Sequence, residues 1–210
     1  MDDSLLLPLF PLELVLLPGQ TLPLHIFEER YKEMIGECLE NQTEFGIVLA
    51  KDNSIVNVGC TATVSTVTRR YDDGRMDIEV AGRRRFEVLF LDQDRAFLRA
   101  ATQFFDDEES DDADAIDRRR ALDLHSEVIE LLFQDADDRR RAQVEAESKQ
   151  LSFQLIGPLP VDHDFKQSLL GSRSESDRME RATDCLEKLL SHLKLISKVR
   201  ARAGANGHGR

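Results

Sequence analysis

Residues 5–27, LLLPLFPLELVLLPGQTLPLHIF, decide the architecture of the first half of the chain. Pro8, Pro11 and Pro23 interrupt this apolar run. A proline removes a backbone donor and biases the residue before it away from the helical conformation. We therefore predict extended segments, the second of them at a sheet edge, on either side of a Pro-Gly turn at 18–20.

One helix is predicted after this stretch. From Phe27 to Glu40 the apolar residues recur at intervals of three and four, which is the period of one helix face. Acidic Glu28 and Glu29 fall in the first turn, where the helix dipole favours them. The outward face would carry Glu29, Arg30, Glu33 and Glu37.

Short strands are predicted beyond this helix. Their ranges are 45–50, 56–68, 76–80, 85–91 and 96–105, with a hairpin turn at 71–75. Gly74 supplies the positive φ that such a turn needs, and Ala81-Gly82 is expected to separate two of the strands. This spacing is typical of a barrel or sandwich rather than of a parallel α/β sheet.

The second half of the chain has a helical pattern. It follows an acidic run in which seven of the nine residues from 106 to 114 are Asp or Glu. Helices are predicted at 116–133, 142–156 and 162–170, and from 174 onward. We predict an α+β protein with a β-rich subdomain at 1–105, an acidic linker at 106–113, a helical subdomain at 114–202 and a disordered tail at 203–210.

Composition narrows the possible functions and compartments. A formal net charge of −12 opposes general binding to nucleic acid or to anionic membranes, although a local basic patch stays possible. Asp2 and Asp3 stand where a secretory signal carries basic residues, and no stretch reaches the roughly 20 apolar residues of a membrane span. The three cysteines are widely separated, which favours a reducing compartment, and we expect the cytoplasm.

The ordered series of motifs resembles the N-terminal domain of the Lon protease family. The matching segments are 7–12, 15–19, 22–31, 45–49, 58–64, 73–75 and 82–86, followed by 151–153, 159–160 and 166–170. The resemblance implies a β-rich, PUA-like pseudo-barrel with one helix, followed by an α-helical bundle. It also implies a domain that captures polypeptides for an ATPase and a protease domain.

The catalytic half of that family is not expected in this chain. No G-x-x-x-x-G-K-[ST] phosphate loop occurs, and the sequence ends where the ATPase domain would begin. We therefore expect a protein that binds unfolded or client polypeptides without cleaving them and needs no cofactor. A separate protease or ATPase is a further expected partner, with the chain acting as its adaptor.

No common enzyme motif in the sequence indicates a catalytic function. The chain lacks G-x-S-x-G, H-E-x-x-H and G-x-G-x-x-G, so no catalytic residue is predicted. His25 and Glu28 have the spacing of a metal pair, but a zinc site needs three or four ligands. We instead expect His25 at a strand–helix junction and Glu28 as a helix cap, and we predict no metal site.

Basic runs leave one alternative function open. PUA-like folds can bind RNA, and Arg83-Arg84-Arg85 could contact phosphate. Against this, arginines on a strand alternate in direction, and only 6% of residues are aromatic, so no stacking platform is evident. The runs 118–120 and 139–141 lie beside acidic stretches and are expected to pair within the molecule.

A polypeptide site requires an apolar surface with a polar rim. Two regions could provide it, the segment 18–27 beside the first helix and the cleft between the two lobes. The candidate contacts in the first region are Leu22, Leu24, Phe27, Glu29, Arg30 and Glu33. Core packing of the leucines and solvation of the charged residues are the alternative roles for these side chains.

Overall fold

The computed structural model describes residues 6–52, 54–108 and 114–205. These residues form two compact units. The first unit contains the described residues of Met1–Asp107 together with Pro160–Arg173. The second contains those of Glu108–Leu159 and Ser174–Arg210.

Six strands form one sheet in the first unit. They are β1 (Leu7–Leu12), β2 (Thr21–Ile26), β3 (Phe45–Lys51), β4 (Ser54–Arg70), β5 (Met76–Asp92) and β6 (Arg99–Phe105). The strand order is β2-β5-β4-β3-β1-β6, and β6 also pairs with β5. Five strands therefore close into a ring, and β2 lies outside it beside the first part of β5. The predicted α+β class with a strand-rich first half is confirmed.

Helix α1 (Glu29–Asn41) follows β2 and packs its apolar face against this sheet. Its buried residues include Tyr31, whose ring stacks on Phe10 with 4.1 Å between centroids. The helix begins two residues later than the periodicity predicts, so Phe27 precedes it and is exposed. Glu28 occupies the N-cap position, but its side chain makes no capping hydrogen bond.

The predicted break at Ala81-Gly82 is wrong, because β5 continues through it for 17 residues. Gly82 is needed for a close approach and not for a turn. A Cβ at this position would overlap the carbonyl oxygen of Leu17, and the Gly82 amide donates to the carbonyl of Gln20 at 2.9 Å. A register shift between Cys60 and Ala62 on β4 lets the ladder continue past this crossing.

In the described part of the chain, five helices follow the strands. They are α2 (Ala115–Leu132), α3 (Ala136–Arg141), α4 (Leu151–Ile156), α5 (His163–Gly171) and α6 (Glu175–Ala205). The predicted helix at 142–156 is wrong over its first nine residues, and only α4 is helical. The chain before α4 is held instead by Arg118, whose guanidinium donates to the carbonyls of Ala146 and Ser148, both at 2.7 Å.

Helix α5 groups with the strands, although it lies inside the range predicted as the helical subdomain. The side-chain amide of Gln167 donates to the Val58 carbonyl at 2.9 Å, which ties α5 to β4. Helix α6 extends to Ala205 and covers the first residues of the predicted tail. Residues 109–113 of the predicted linker and 206–210 of the tail lie outside the described residues. The predicted domain boundaries stay a prediction.

Candidate functional site

The two candidate leucines lie on β2, where exposed and less exposed residues alternate. Leu22 and Leu24 are half-buried and share a strand face with Ile26, which is 1% exposed. They pair across the ladder with Val80 and Ile78 of β5. This placement gives the leucines a packing role, and the opposite face of β2 carries the exposed side chains.

Three aromatic rings cluster on that exposed face and form what we call the aromatic patch: His25, Phe27 and Tyr71. Phe27 is 58% exposed, and its ring stacks on His25 with 5.9 Å between centroids. Tyr71, from the turn between β4 and β5, meets His25 edge-on, also at 5.9 Å. The patch therefore holds a large apolar ring in solvent against a second ring.

A carboxylate fixes the geometry of the patch. Asp77 Oδ1 lies 2.5 Å from His25 Nδ1, and Asp77 Oδ2 accepts a hydrogen bond from the Tyr71 hydroxyl at 2.9 Å. These contacts, with His25 first, lower the pKa of Asp77. Because Asp77 holds both neighbouring rings by hydrogen bonds, the platform under Phe27 is preorganised.

Cations surround the patch. The guanidinium carbons of Arg69 and Arg75 lie 4.6 and 5.0 Å from the centre of the Tyr71 ring. Lys32 of α1 donates to the carbonyl of Asp73 at 2.9 Å, which joins the hairpin turn to the helix. Arg75 also pairs with Asp73 at 2.7 Å and Lys32 with Glu29 at 2.8 Å, so these cations lie beside the patch with much of their charge balanced.

The three charged candidates on α1 all have intramolecular partners. Glu29 pairs with Lys32 and Arg30 with Glu28, each at 2.8 Å. Glu33 lies 2.5 Å from Arg95, which also pairs with Glu37. The six candidates therefore occupy different settings, with Leu22, Leu24 and Phe27 on or next to β2 and the charged residues in local ion pairs along α1.

A groove lies at the turn between β3 and β4. It consists of two adjoining cavities of about 660 and 530 Å³ that share Glu13, Ala50, Lys51 and Asp52. The larger cavity is also lined by Pro11, Ile55, Leu91 and the candidate Arg30. An ion pair between Lys51 and Asp164, at 2.6 Å, lies beside the smaller one. The groove is a second surface, with a lining that mixes apolar and charged side chains.

The arginine runs pair largely within the molecule. Arg84 lies 3.0 Å from Glu44, and the buried Arg85 lies 2.5 Å from Asp107, while Arg83 is exposed. In the other runs, Arg120 pairs with Glu187, and Arg140 pairs with Asp137. Two of the three arginines considered for RNA contact are thus held by carboxylates.

Sequence reasoning missed His25 and Tyr71 as members of the patch. It weighed His25 as a metal ligand with Glu28, but Glu28 bonds Arg30 and His25 bonds Asp77. The alternation of Pro23, His25 and Phe27 was a usable signal for an exposed strand face. The register that brings Asp77 opposite His25 joins residues 52 positions apart and is set by the tertiary structure.

Comparison with known families identifies the chain. The family model described as the ATP-dependent protease La (LON) substrate-binding domain matches residues 6–188. The chain belongs to this Lon substrate-binding domain family. The resemblance inferred from the sequence is confirmed, and no helix in the described part of the chain is long and apolar enough to cross a membrane.

Solved structures of Lon N-terminal domains share the fold. A Lon N-terminal domain protein from Xanthomonas campestris aligns with a TM-score of 0.65 at 24% identity, covering 84% of this chain and 95% of that one. The N-terminal domain of a Mycobacterium avium complex Lon protease aligns with a TM-score of 0.62 at 15% identity, covering 87% and 98%. At these identities the likeness concerns the fold alone.

Proposed function

We propose that this member of the Lon substrate-binding domain family binds unfolded polypeptides through the aromatic patch and does not cleave them. The family's description as a substrate-binding domain supports a binding role. The observation that carries the proposal is the exposed ring of Phe27, stacked on His25 while Asp77 bonds His25 and Tyr71.

The physical reason lies in the kind of contact that this patch offers. Burial of an aromatic ring is favourable and does not require a particular partner sequence, which suits a client defined by its exposed apolar residues. Phe27 is already held on a platform, so little conformational entropy is lost on binding. A folded protein, whose apolar side chains are mostly buried, presents fewer such partners.

We further propose that the chain is an adaptor that presents clients to a separate protease or ATPase in the cytoplasm. The family model that matches describes a substrate-binding domain, which supports a role in binding clients for another protein. Cys38 and Cys60 form no disulfide bond, which agrees with a reducing compartment.

Binding to a permanently unfolded polypeptide and to its folded form, at low and moderate salt, tests the proposal. The variant Phe27→Ser should weaken binding of the unfolded chain about tenfold or more, because it removes most of a buried ring's contribution. Leu89→Ser is the matched control, since Leu89 is 61% exposed on β5, and it should bind as the wild type does.

Three results would argue against the proposal: equal affinity for folded and unfolded forms, equal losses in the two variants, or no binding at all. An RNA gel shift belongs in the same experiment, since RNA binding is the alternative prediction from the sequence. Salt-sensitive RNA binding that Arg83→Ser weakens, without affinity for unfolded protein, would favour that alternative.

A further inference from the structure

Strand β2 has an open edge. It pairs with β5 along its whole length, from Thr21 opposite Ala81 to Ile26 opposite Met76. No other strand in the described part of the chain pairs with it, because β2 ends the strand order. Thr21, Pro23 and His25 are exposed along this strand. An open edge of this kind can pair with an additional strand.

The contacts of β5 establish which backbone groups of β2 point outward. The carbonyls of Asp77 and Glu79 accept hydrogen bonds from the hydroxyls of Thr68 and Ser65 on β4, at 3.1 and 2.9 Å. Gly82 lies an odd number of residues from Asp77 and Glu79 along β5. Its amide donates to the carbonyl of Gln20 and its carbonyl accepts from the amide of Gly19, both just before β2. Alternate residues of an antiparallel strand bond to opposite neighbours.

It follows that Leu22, Leu24 and Ile26 bond to β5, and that Thr21, Pro23 and His25 direct their backbone groups to the open edge. The position of Pro23 agrees, because a proline without an N–H fits where no ladder bond to β5 is needed. The edge therefore presents a carbonyl at each of these three residues and an N–H at Thr21 and His25, with successive outward residues about 7 Å apart.

We propose that this edge takes up an extended segment of a client polypeptide as a seventh strand of the sheet, which deepens the proposed function and rests on it. Donors and acceptors that repeat every second residue match the backbone of an extended chain, whatever its side chains. The exposed side chain of His25 lies on β2, and Phe27 is the first residue after this strand. Alternate side chains of an added strand would therefore contact the aromatic patch.

Pro23 favours a client over a second copy of the chain. A client strand can form both bonds at Thr21, both at His25 and a single bond at Pro23. Pairing with another β2 would bring a second proline to the same edge and remove a further donor. Proline on an edge strand is a known means of limiting self-association, and here it leaves the bonds at either end available.

The test uses a synthetic peptide of alternating phenylalanine and threonine with lysines at its ends. Two derivatives carry N-methyl groups on one or the other alternate set of backbone nitrogens. Strand addition predicts that only one derivative loses binding, by about tenfold or more, because only one set of N–H groups faces β2. If both derivatives bind as the parent peptide does, strand addition is wrong.

Variants of the edge provide the matched pair. Thr21→Pro removes an outward N–H without touching the ladder to β5 and should weaken peptide binding about tenfold. Pro23→Thr adds an outward N–H and should tighten it several-fold. Circular dichroism establishes folding. If Thr21→Pro does not fold, Pro23→Thr and the methylated peptides still decide the question.

The outcomes separate this inference from the proposed function. Unchanged binding in both edge variants and both methylated peptides, together with a loss in Phe27→Ser, would overturn strand addition and leave the aromatic patch as the site. No binding of the peptide or of the unfolded polypeptide by the wild-type chain would overturn both.

Discussion

Arg85 on β5 and Asp107 just after β6 form an ion pair, with 2.5 Å between Nη2 and Oδ1 and the Arg85 side chain 1% exposed. The same guanidinium donates to the carbonyl of Ser172, immediately after α5, at 2.5 Å. One buried cation thus joins a strand, the segment that follows the sheet and the end of a helix. It explains why α5 groups with the strands.

Arg85→Met should lower the free energy of unfolding by about 3 kcal/mol or more, because the change removes both the ion pair with Asp107 and the hydrogen bond to the carbonyl of Ser172. Arg84→Met is the matched control, because Arg84 is largely exposed and its pair with Glu44 should contribute about 1 kcal/mol or less. Urea unfolding measures both, and equal losses would contradict the special role of Arg85.

Gly82→Ala and Gly36→Ala should change stability in opposite directions. At Gly82 a Cβ overlaps the backbone of the crossing segment, so we expect a loss of about 1–3 kcal/mol. Gly36 lies inside α1, where an added Cβ would meet nothing within 4 Å, so alanine should stabilise the protein by about 0.5–1 kcal/mol. Thermal unfolding tests both signs, and a neutral Gly82→Ala would mean that the crossing segment can move away.

Stability should fall on acidification because of His125. Burial lowers the pKa of this side chain to about 4, and its Nε2 has no hydrogen-bond partner among the described residues. The unfolded chain takes up a proton below about pH 6.5 while the folded state stays neutral, so stability is complete above that pH and declines toward pH 4. The loss attributable to His125 is about 3 kcal/mol.

His125→Leu should remove that part of the pH dependence, as measured by urea unfolding at several pH values between about 4 and 7. His192→Leu is the control, since His192 is exposed on α6, and it should leave the slope unchanged. A slope that persists in His125→Leu would assign the pH dependence to other groups.

Removing one partner of the buried ion pair between Glu175 and Arg178 should lower the free energy of unfolding more than replacing both partners does. The side chains of Glu175 and Arg178 are 2% and 0% exposed, and Arg178 Nη2 lies 2.6 Å from Glu175 Oε2. Glu175 also accepts a hydrogen bond from the backbone amide of Ser152 at 2.9 Å. Glu175→Leu should lower the free energy of unfolding by about 3–5 kcal/mol, because it removes the carboxylate that pairs with the buried guanidinium of Arg178. Adding Arg178→Met should recover part of that loss, which a double-mutant cycle measures.

An exposed pair on the same helix is the comparison. Asp177 and Arg181 lie 3.2 Å apart at the surface of α6, and Asp177→Leu should change stability by about 1 kcal/mol or less. If the double variant of the buried pair were no more stable than Glu175→Leu alone, the removal of the carboxylate beside Arg178 would not be the cause of the loss.

The sequence predicted secondary structure well where a local signal was unambiguous. Pro8, Pro11 and Gly74 indicated the extended opening and the hairpin turn, because each restricts the backbone wherever it occurs. Predictions were wrong where a contact with a distant part of the chain determines the local backbone conformation. Gly82 suggested a break, but it is the point where another segment crosses β5. The false helix before α4 failed because Arg118 holds that chain in a loop.

The candidate site divides in the same way. Exposure of Phe27 follows from its position just before α1, which the sequence placed only to within two residues. The contact of His25 with Asp77 depends on the register of β2 against β5, and register is set by pairing over long separations. The spacing of apolar residues in the sequence could not show whether Leu22 is half-buried or is exposed to a ligand, because the burial of a strand residue depends on what covers the strand.

By itself, the sequence determined the strand-rich first half and the helical second half, the acidic net charge and the Lon substrate-binding domain family, since these follow from local backbone preferences and a series of motifs. Only the tertiary structure decided that α5 joins the strands, that His25, Phe27 and Tyr71 form one patch, and that β2 has an open edge. Each of these depends on contacts between residues far apart in the chain, and such contacts form only when the whole sheet closes.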